Sequence, residues 1–324
     1  MNRYQSFFVR FAAGLLALFL LLCTLPSCGE SNEQTPENSE TVQFTDALGR
    51  LVSVPKNPVR VAALIGSFAD IWCLSGGTLC AAASDAWEDF GLALDGAVNI
   101  GGAHSPNTEL LLSSNPELVI ASASTASNVA LKDTLDAMGI PVAYFNVDHF
   151  NDYLQMLDIC TDLTGRKDLY EQNGLALQTQ IESLKSAYTA QPIPQEQRKI
   201  LLLRASSGSI KAKSSSGTIL GEMLKDMGCI NIADRDSSLL ENLSVESIIR
   251  EEPYHIFAVT MGNDTTAATE ALDRMIRENP AWSSLSAVRE NRIHIMDKRL
   301  FNLKPNARWA EAYGVLYETL TKQT

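Results

Sequence analysis

The sequence has 324 residues, of which 45% are hydrophobic, so it has enough apolar material for more than one folded core. Acidic side chains outnumber basic ones by 38 to 26, which gives a net charge of −12 at pH 7. Because nucleic acids bind to basic surfaces, this negative balance argues against a nucleic-acid partner.

The amino terminus has the features of a signal peptide. Arg3 and Arg10 flank a short apolar run at 11–22, and a small residue precedes Cys28. A membrane-spanning helix needs about 20 apolar residues, so a permanent anchor made of this run is the weaker interpretation. The site resembles a lipobox, which predicts a signal peptide over residues 1–27 and lipidation of Cys28. Secretion with a free Cys28 is the alternative.

Residues 28–41 are predicted to form a flexible tether. Between 29 and 41 the chain has four glutamates and no large hydrophobic residue, so it cannot bury enough surface to fold. Beyond the tether, no two cysteines form a CxxC pair, which predicts buried free thiols, with a Cys73–Cys80 disulfide as the alternative. These cysteines are Cys73, Cys80, Cys160 and Cys229.

Short apolar segments alternate with helical stretches along both halves of the remaining chain. Their Val, Ile and Leu content is typical of parallel sheets covered by helices on both faces. We therefore predict two α/β lobes, an N-terminal lobe over residues 42–147 and a C-terminal lobe over residues 195–324. The predicted strands lie at 59–65, 79–84, 117–123, 141–147, 199–205, 229–233, 254–260 and 292–297.

Residues 148–194 lack a strand pattern and are predicted to connect the lobes by a helix. Apolar residues recur there at steps of three and four, which places them on one stripe of a helix, and Gly165 is typical of a helix end. A helix of about 20 residues is a stiff strut roughly 30 Å long, so it should limit hinge motion. The stripe comprises Tyr170, Gly174, Leu177, Ile181, Leu184 and Tyr188, and Pro192 and Pro194 mark its end.

The two lobes share an internal repeat. The segment TELLLSSNP at 108–116 aligns with VESIIREEP at 245–253, and a predicted strand follows each copy. Glu109 and Glu246 occupy matching places, seven residues before a proline. A carboxylate in the first turn of a helix complements the helix dipole, which is one explanation for both residues.

Further motifs occur in order along both lobes, namely TDALGR at 45–50, VP at 54–55, PVRV at 58–61, PELVI at 116–120, NPAW at 279–282, AV at 287–288 and RWAEA at 308–312. Together they resemble the solute-binding proteins of ABC importers for iron siderophores, haem and cobalamin. The match runs from about residue 45 to residue 320. It implies two Rossmann-like lobes joined by a single long helix, with the ligand in the cleft between them.

The resemblance also implies partners. In that family one glutamate from each lobe docks into arginine pockets on a permease dimer, which works with ATPase subunits, and Glu109 and Glu246 stand at the matching places. Charge-assisted bonds to arginine would set register and orientation. The expected protein is a monomer, lipid-anchored on the outer face of the cytoplasmic membrane, with no intrinsic cofactor.

Candidate ligand-binding residues follow from the ends of the predicted strands, where α/β folds hold their ligands. Basic groups with aromatic side chains opposite them would suit an anionic ferric siderophore or haem. A corrinoid, the alternative ligand, would depend mainly on Trp87 and Phe301. The candidates are Ser67, Phe68, Trp87, His104, Arg204, Lys211, Lys213, Phe301, Lys304 and Arg308.

Several of these candidates also have a simpler interpretation. Arg204 could be a solvated arginine at a strand end, and Lys211 with Lys213 could belong to a charged loop. Trp87 could cover the edge of the core. Arg308 could start the last helix with its aliphatic stem packed beside the following residue.

Direct zinc or manganese binding is the weaker alternative, because the chain has only four histidines. His255 and His294 lie in apolar, strand-like runs, where a core histidine is more common than a ligand. His149 precedes the connector, which leaves His104 as the one candidate axial ligand for haem or cobalamin.

Enzymatic activity finds no support in the motifs. The sequence contains no GxSxG, HExxH, GxGxxG or GxxxxGK[ST] pattern, and the serine-rich stretch at 206–216 has no SxxK. A surface adhesin would not need a two-lobed cleft, so this alternative is disfavoured too. We predict a binding protein.

Overall fold

Two five-stranded β-sheets organise the chain in the computed structural model, which describes residues 40–262 and 264–322. The predicted signal segment, Cys28 and the tether up to residue 39 lie outside these described residues, so what concerns them remains a prediction. Within the described part of the chain, no helix is both long enough and apolar enough to cross a membrane.

The N-terminal lobe contains an antiparallel hairpin and a five-stranded parallel sheet. The hairpin pairs β1 (Thr41–Thr45) with β2 (Leu51–Pro55). The sheet has the order β5-β4-β3-β6-β7 and comprises β3 (Val61–Ala63), β4 (Ala81–Ala82), β5 (Val98–Asn99), β6 (Leu118–Ser122) and β7 (Val142–Phe145). Its helices are α1 (Gly66–Leu74), α2 (Asp85–Glu88), α3 (Thr108–Ser113), α4 (Ala126–Val129) and α5 (Lys132–Ala137).

Two helical segments follow the first sheet. Helix α6 (Phe150–Thr164) ends at Gly165, which adopts a left-handed conformation with φ of 69° that costs glycine little. The chain then continues without interruption through α7 (Lys167–Tyr170), a π-helical turn (Glu171–Leu175) and α8 (Ala176–Thr189). We call residues 167–189 the connecting helix, and it is the single long helix between the lobes.

The C-terminal lobe has a second five-stranded sheet. Strands β10, β8, β11 and β12 are parallel in that order, and β9 pairs antiparallel with β8. The strands are β8 (Lys199–Ser206), β9 (Ser209–Ala212), β10 (Ile230–Asn231), β11 (His255–Thr260) and β12 (Ile293–Met296). The helices are α9 (Ile219–Asp226), α10 (Ser237–Asn242), α11 (Val245–Glu251), α12 (Thr265–Glu278), α13 (Ser286–Arg289), α14 (Lys298–Phe301) and α15 (Trp309–Thr321). Short 3-10 turns lie at Gln195–Arg198, Ile232–Asp234, Pro280–Ser284 and Asn306–Arg308.

One apolar cluster runs from the first lobe through the connecting helix into the second, and we call it the central core. Ile200 and Leu202 of β8 face the central core, whereas Leu201 and Leu203 face a separate cluster behind the sheet. This alternation follows from the two-residue period of a strand. Since Ile181 of the connecting helix belongs to the central core, the lobes share buried contacts as well as a covalent link.

The predicted fold class is confirmed: two α/β lobes are joined by a long helix, and each of the eight predicted segments contains a strand. The hairpin β1–β2 and the strands β5 and β9 were not predicted. Strand β5 lies in a short stretch between Gly96 and Gly101 that has no continuous apolar run, and β9 lies in a polar stretch. The proposed bounds of the lobes at 147 and 195 remain predictions.

The repeat is visible as matching local structure in the two lobes. Leu111 and Ile248 are fully buried at equivalent places in α3 and α11. After each helix, the residue before the proline takes a left-handed conformation with φ of 48°, Asn115 in one lobe and Glu252 in the other. The two copies therefore share a helix, a turn and the strand that follows.

Candidate functional site

The amino end of α1 lies against α2 at the carboxyl ends of β3 and β4. The Gly66 amide donates to Asp85 Oδ2 over 2.9 Å. A Cβ at Gly66 would lie 2.6 Å from the backbone nitrogen of Ala86, so only glycine permits this approach. Burial is the main cause that raises the pKa of Asp85, and its Oδ1 is buried without a hydrogen-bond partner among the described residues.

Residues that follow β12 reach across to this part of the N-terminal lobe. Lys298 Nζ lies 2.8 Å from Asp89 Oδ1, and Arg299 Nη2 lies 3.2 Å from Asp70 Oδ2. The Asn306 amide, which is fully buried, donates over 2.8 Å both to the Ser67 carbonyl and to Asp70 Oδ2. The segment 298–306 therefore joins the carboxyl ends of strands from the two sheets, and we call this junction the lobe interface.

Lys304 is half-buried in the lobe interface, with Nζ 5.8 Å from the centroid of the Phe68 ring. Burial lowers the pKa of its ammonium, while Asp148, Asp152 and Asp85 act in the opposite direction. Asp85 belongs to α2, Asp152 to α6, and Asp148 lies just before α6. The charge of Lys304 is therefore partly balanced within the protein.

Arg204, Lys211 and Lys213 form a separate group of cations on β8 and the strand beside it. Arg204 lies directly opposite Lys211 in the antiparallel register, and the Lys213 amide donates to the Leu202 carbonyl over 2.9 Å. Arg204 Nε is buried and has no hydrogen-bond partner among the described residues. Burial lowers the pKa of Arg204, and burial followed by the charges of Arg204 and Lys211 lowers that of Lys213.

The predicted aromatic candidates differ in exposure. Phe68 and Phe301 have exposed fractions of only 0% and 2% and belong to the central core, so neither can line an open cleft in this conformation. They pack against apolar neighbours in this conformation, and their role as ligand contacts remains a prediction. Trp87 is half-buried beside alanines such as Ala86, as expected for a side chain at the edge of the core. Ser67 is also buried, but its carbonyl takes part in the lobe interface.

Two further candidates lie apart from the cation group. Arg308 is exposed, directly precedes α15 and makes two bonds of 2.7 Å to Glu311 in the first turn of that helix. This pairing removes Arg308 from the set of free cations. His104 is exposed in the loop after β5, and no contact of its ring joins it to the lobe interface within the described residues.

The other histidines and the cysteines lie outside the candidate site. His255 Nδ1 and His294 Nε2 are 2.9 Å apart, and burial is the main cause that lowers the pKa of both rings. His149 Nδ1 lies 3.1 Å from Asp152. No group of three or more potential metal ligands occurs in the part of the chain that the structure describes. Cys73, Cys80, Cys160 and Cys229 are free thiols.

Glu109 and Glu246 lie in the first turns of α3 and α11, and both are exposed. The helix caps are Asn107, whose side chain accepts from the Leu110 amide, and Ser244, whose side chain accepts from the Ser247 amide. Both glutamate side chains are exposed near the helix ends, and Glu246 Oε2 also accepts from the Ser244 hydroxyl over 3.2 Å. A docking role for them remains a prediction.

A cavity of about 380 Å³ lies where α6, α8, α9 and α15 meet. Of its two lysines, Lys185 is 3.0 Å from Glu182 and 3.1 Å from Asp226, and Lys225 is 3.9 Å from Glu222, so these charges are paired. The Tyr313 hydroxyl also donates to Asp226. The cavity is lined by helices rather than by strand ends, and we do not assign it to the ligand.

Several residues of the lobe interface were not found from the sequence. Asp70, Asp85, Arg299 and Asn306 stand in helices or turns without a recognisable motif. Asn306 has a left-handed backbone conformation with φ of 56°, which no local sequence pattern predicts. Only the predicted proximity of strand ends could have indicated this region.

The two lobes and the interface at their strand ends define a two-lobed ligand-binding protein. Residues 61–300 match the family described as periplasmic binding protein. The chain belongs to that family, whose members bind solutes and are not enzymes.

Individual relatives are distant but cover nearly the whole chain. The chain is 23% identical over 312 residues to the putative ABC transporter substrate-binding lipoprotein YhfQ of Bacillus subtilis (strain 168), covering 92% of this chain and 94% of YhfQ. It is 25% identical over 299 residues to the Fe(3+)-citrate-binding protein YfmC of the same organism, covering 88% and 89%. The crystal structure of Staphylococcus aureus SirA complexed with staphyloferrin B shares the fold, with a TM-score of 0.67, 20% identity and coverage of 87% and 99%.

Proposed function

We propose that this protein is an extracytoplasmic substrate-binding lipoprotein that captures an iron chelate, either a siderophore or haem, and delivers it to the permease of an ABC importer. The observation that carries the proposal is the lobe interface, where residues after β12 meet residues after β3 and β4. Ligands of α/β folds bind outside the carboxyl ends of parallel strands. The names of YhfQ and YfmC support an importer and an iron chelate.

The proposed layout of the chain follows from its amino terminus. Residues 1–27 act as a signal peptide, the sulfur of Cys28 carries lipid, and residues 28–41 tether the binding domain to the outer face of the cytoplasmic membrane. The N-terminal lobe then covers residues 42–147, the connector 148–194 and the C-terminal lobe 195–324. The description of YhfQ as a lipoprotein supports the anchor.

The proposed importer is a permease dimer with its ATPase subunits, served by one monomer of this protein. Glu109 and Glu246 are the proposed docking residues, one on each lobe. Their matching places in the repeat, and their exposure, suit a partner with two similar subunits. The membrane is contacted through the lipid anchor alone.

The proposal is tested by titrating the detergent-purified full chain with haem, ferric citrate, ferrichrome and cyanocobalamin in a calorimeter. We expect at least one iron chelate to bind with a Kd of about 1 μM or below, and to raise the melting temperature because it binds only the folded state. Binding of cyanocobalamin alone would assign the protein to corrinoid transport instead. Binding of Zn²⁺ but none of the chelates would identify a direct metal importer.

A further inference from the structure

The connecting helix contains a turn that is wider than an ordinary α-helical turn. Over Glu171–Leu175 the chain is π-helical, and the Ala176 amide donates to the Glu171 carbonyl, five residues back rather than four. A π-helical turn inside an α-helix is rare, and many of those known lie at functional sites. Because it interrupts the regular hydrogen-bond pattern, it is also a place where helices bend.

The π-helical turn lies where the connecting helix changes its neighbours. Before the turn, Lys167 lies 2.9 Å from Asp162 of α6, a helix that packs on α1 of the first lobe. After the turn, Lys185 lies 3.1 Å from Asp226 of α9, in the second lobe. The π-helical turn is therefore the joint between the two packed halves of the connecting helix.

Two hydrogen bonds fix the π-helical turn to the first lobe. Asn173 Nδ2 donates to the Leu74 carbonyl over 2.9 Å, and the Asn173 carbonyl accepts from the Tyr153 hydroxyl over 2.7 Å. Leu74 is the last residue of α1, where helix carbonyls lack partners within the helix. A Cβ at Gly174 would lie 3.0 Å from the Leu154 side chain, so glycine permits the close approach to α6. The turn is thus held by α1 on one side and by α6 on the other.

Helix α1 extends from the π-helical turn to the lobe interface. Its nine residues span about 12 Å. Phe68 and Trp72 are fully buried, and a close-packed helix moves as one body. At the amino end of α1, the Ser67 carbonyl and the Asp70 carboxylate both accept from the Asn306 amide, which belongs to the segment after β12. One helix therefore contacts the lobe interface at one end and the joint of the connecting helix at the other.

We propose that α1 and the π-helical turn, residues 66–74 and 171–175, form a lever that couples the lobe interface to the joint of the connecting helix. A ligand that fixes the amino end of α1 then also fixes the twist between the lobes. Glu109 and Glu246 lie on different lobes, so this twist sets their relative position. The lever itself rests on contacts within the chain, whereas its role in reporting a bound chelate to the permease rests on the proposed function.

The lever is tested first without ligand, by hydrogen–deuterium exchange of the detergent-purified full chain. Asn173→Ala removes the bond to α1, and Tyr153→Phe removes the hydroxyl that donates to the turn. Gln172→Ala is the control for the first variant, because Gln172 is an exposed residue of the same turn. Tyr313→Phe is the control for the second, because it removes a buried tyrosine hydroxyl that donates to Asp226 over 2.8 Å.

We expect Asn173→Ala and Tyr153→Phe to speed the exchange of amides 68–70, at the far end of α1, by about fivefold, whereas both controls leave it unchanged. Asn306→Ala, which releases the amino end of α1, should speed exchange at residues 173–178 by a similar factor, because coupling between two sites is reciprocal. Amides of β8 serve as the reference for global unfolding. A purely structural role would speed exchange in β8 and α1 equally.

The second measurement adds the tightest-binding probe among ferric citrate, ferrichrome and haem. We expect the bound probe to slow exchange at residues 173–178 of the parent by about threefold or more. By the same reciprocity, Asn173→Ala should weaken the binding of that probe by about threefold or more, while Gln172→Ala leaves its Kd unchanged.

Three results would overturn the inference or part of it. Unchanged exchange of amides 68–70 in both Asn173→Ala and Tyr153→Phe would show that α1 does not transmit a change at the π-helical turn. Normal coupling without ligand, combined with no effect of the bound probe on residues 173–178, would exclude the role in reporting ligand. If none of the probes binds the parent, the proposed function fails, and the measurements without ligand still confirm or exclude the lever.

Discussion

At the scale of single residues, the lobe interface depends on how closely backbones approach one another. Gly66 begins α1 directly against α2, and its amide is held by the Asp85 carboxylate. Asp70, one turn further along α1, then receives both Arg299 and Asn306 from the other lobe. A shift of α1 by even a few tenths of an ångström would therefore disturb contacts within one lobe and between the two.

We expect Gly66→Ala to destabilise the protein by about 1–3 kcal/mol, because its Cβ would meet backbone atoms of residues 85 and 86 that cannot move independently. Gly314→Ala is the matched control. Gly314 lies within α15 with no atom within 4 Å of its added Cβ, so alanine there should stabilise by about 0.5–1 kcal/mol. Urea unfolding of both variants measures the difference. Equal stability of Gly66→Ala and the parent would show that α1 can move away from α2 without cost.

At the scale of elements, the connecting helix is held along its length by packing. Ile181 and Tyr188 have exposed fractions of only 1%, and Gly174 allows the Leu154 side chain of α6 to approach. The last helix, α15, runs beside α8 and adds a second packed element to the connection. Bending the connecting helix would therefore expose apolar surface in addition to straining helical hydrogen bonds.

This packing leads us to expect that the lobes close only slightly when ligand binds. The radius of gyration, measured by small-angle X-ray scattering with and without the tightest chelate, should change by less than about 1 Å, because a packed helix bends less than a paired-strand hinge. The same pair of measurements on Lys199→Met is the control, because this change at the start of β8 leaves the connecting helix unaltered. A decrease of several ångströms would contradict a stiff connection.

At the scale of the whole molecule, the repeated helix, turn and strand place similar surfaces on both lobes. Helix α11 precedes β11 and begins near the carboxyl edge of the second sheet, and α3 has the same relation to β6 in the first sheet. Glu109 and Glu246 lie in the first turns of these helices. A two-fold permease could thus contact both lobes through equivalent carboxylates.

Charge reversal at the proposed docking residues should separate transport from binding. We expect Glu109→Arg or Glu246→Arg to reduce chelate uptake by cells at least tenfold, since like charges would face the permease arginines that the family resemblance implies, while the Kd of the purified protein changes less than about twofold. Glu278→Arg is the control, because that exposed residue ends α12 at the opposite edge of the second sheet. Normal uptake together with a large loss of affinity would rule out docking and place these glutamates at the ligand.

The sequence by itself determined the two α/β lobes, the long helix between them and the repeat that they share. These features are local, because a strand buried in a parallel sheet needs a continuous apolar run and a packed helix needs an apolar stripe. Gly165, which ends α6, was likewise recognisable from its residue type and position.

Only the tertiary structure decided which of the predicted site residues are free to meet a ligand. Lys298 pairs with Asp89 across 209 residues, and Asn306 reaches Ser67 across 239, so neither contact leaves a local pattern. Phe68 and Phe301 satisfy the same strand-end rule as Arg204, yet the first two are buried in the central core. The charge balance around Lys304 and its absence around Arg204 arise from the same cause, since burial and electrostatic partnership depend on which distant segments the fold brings together.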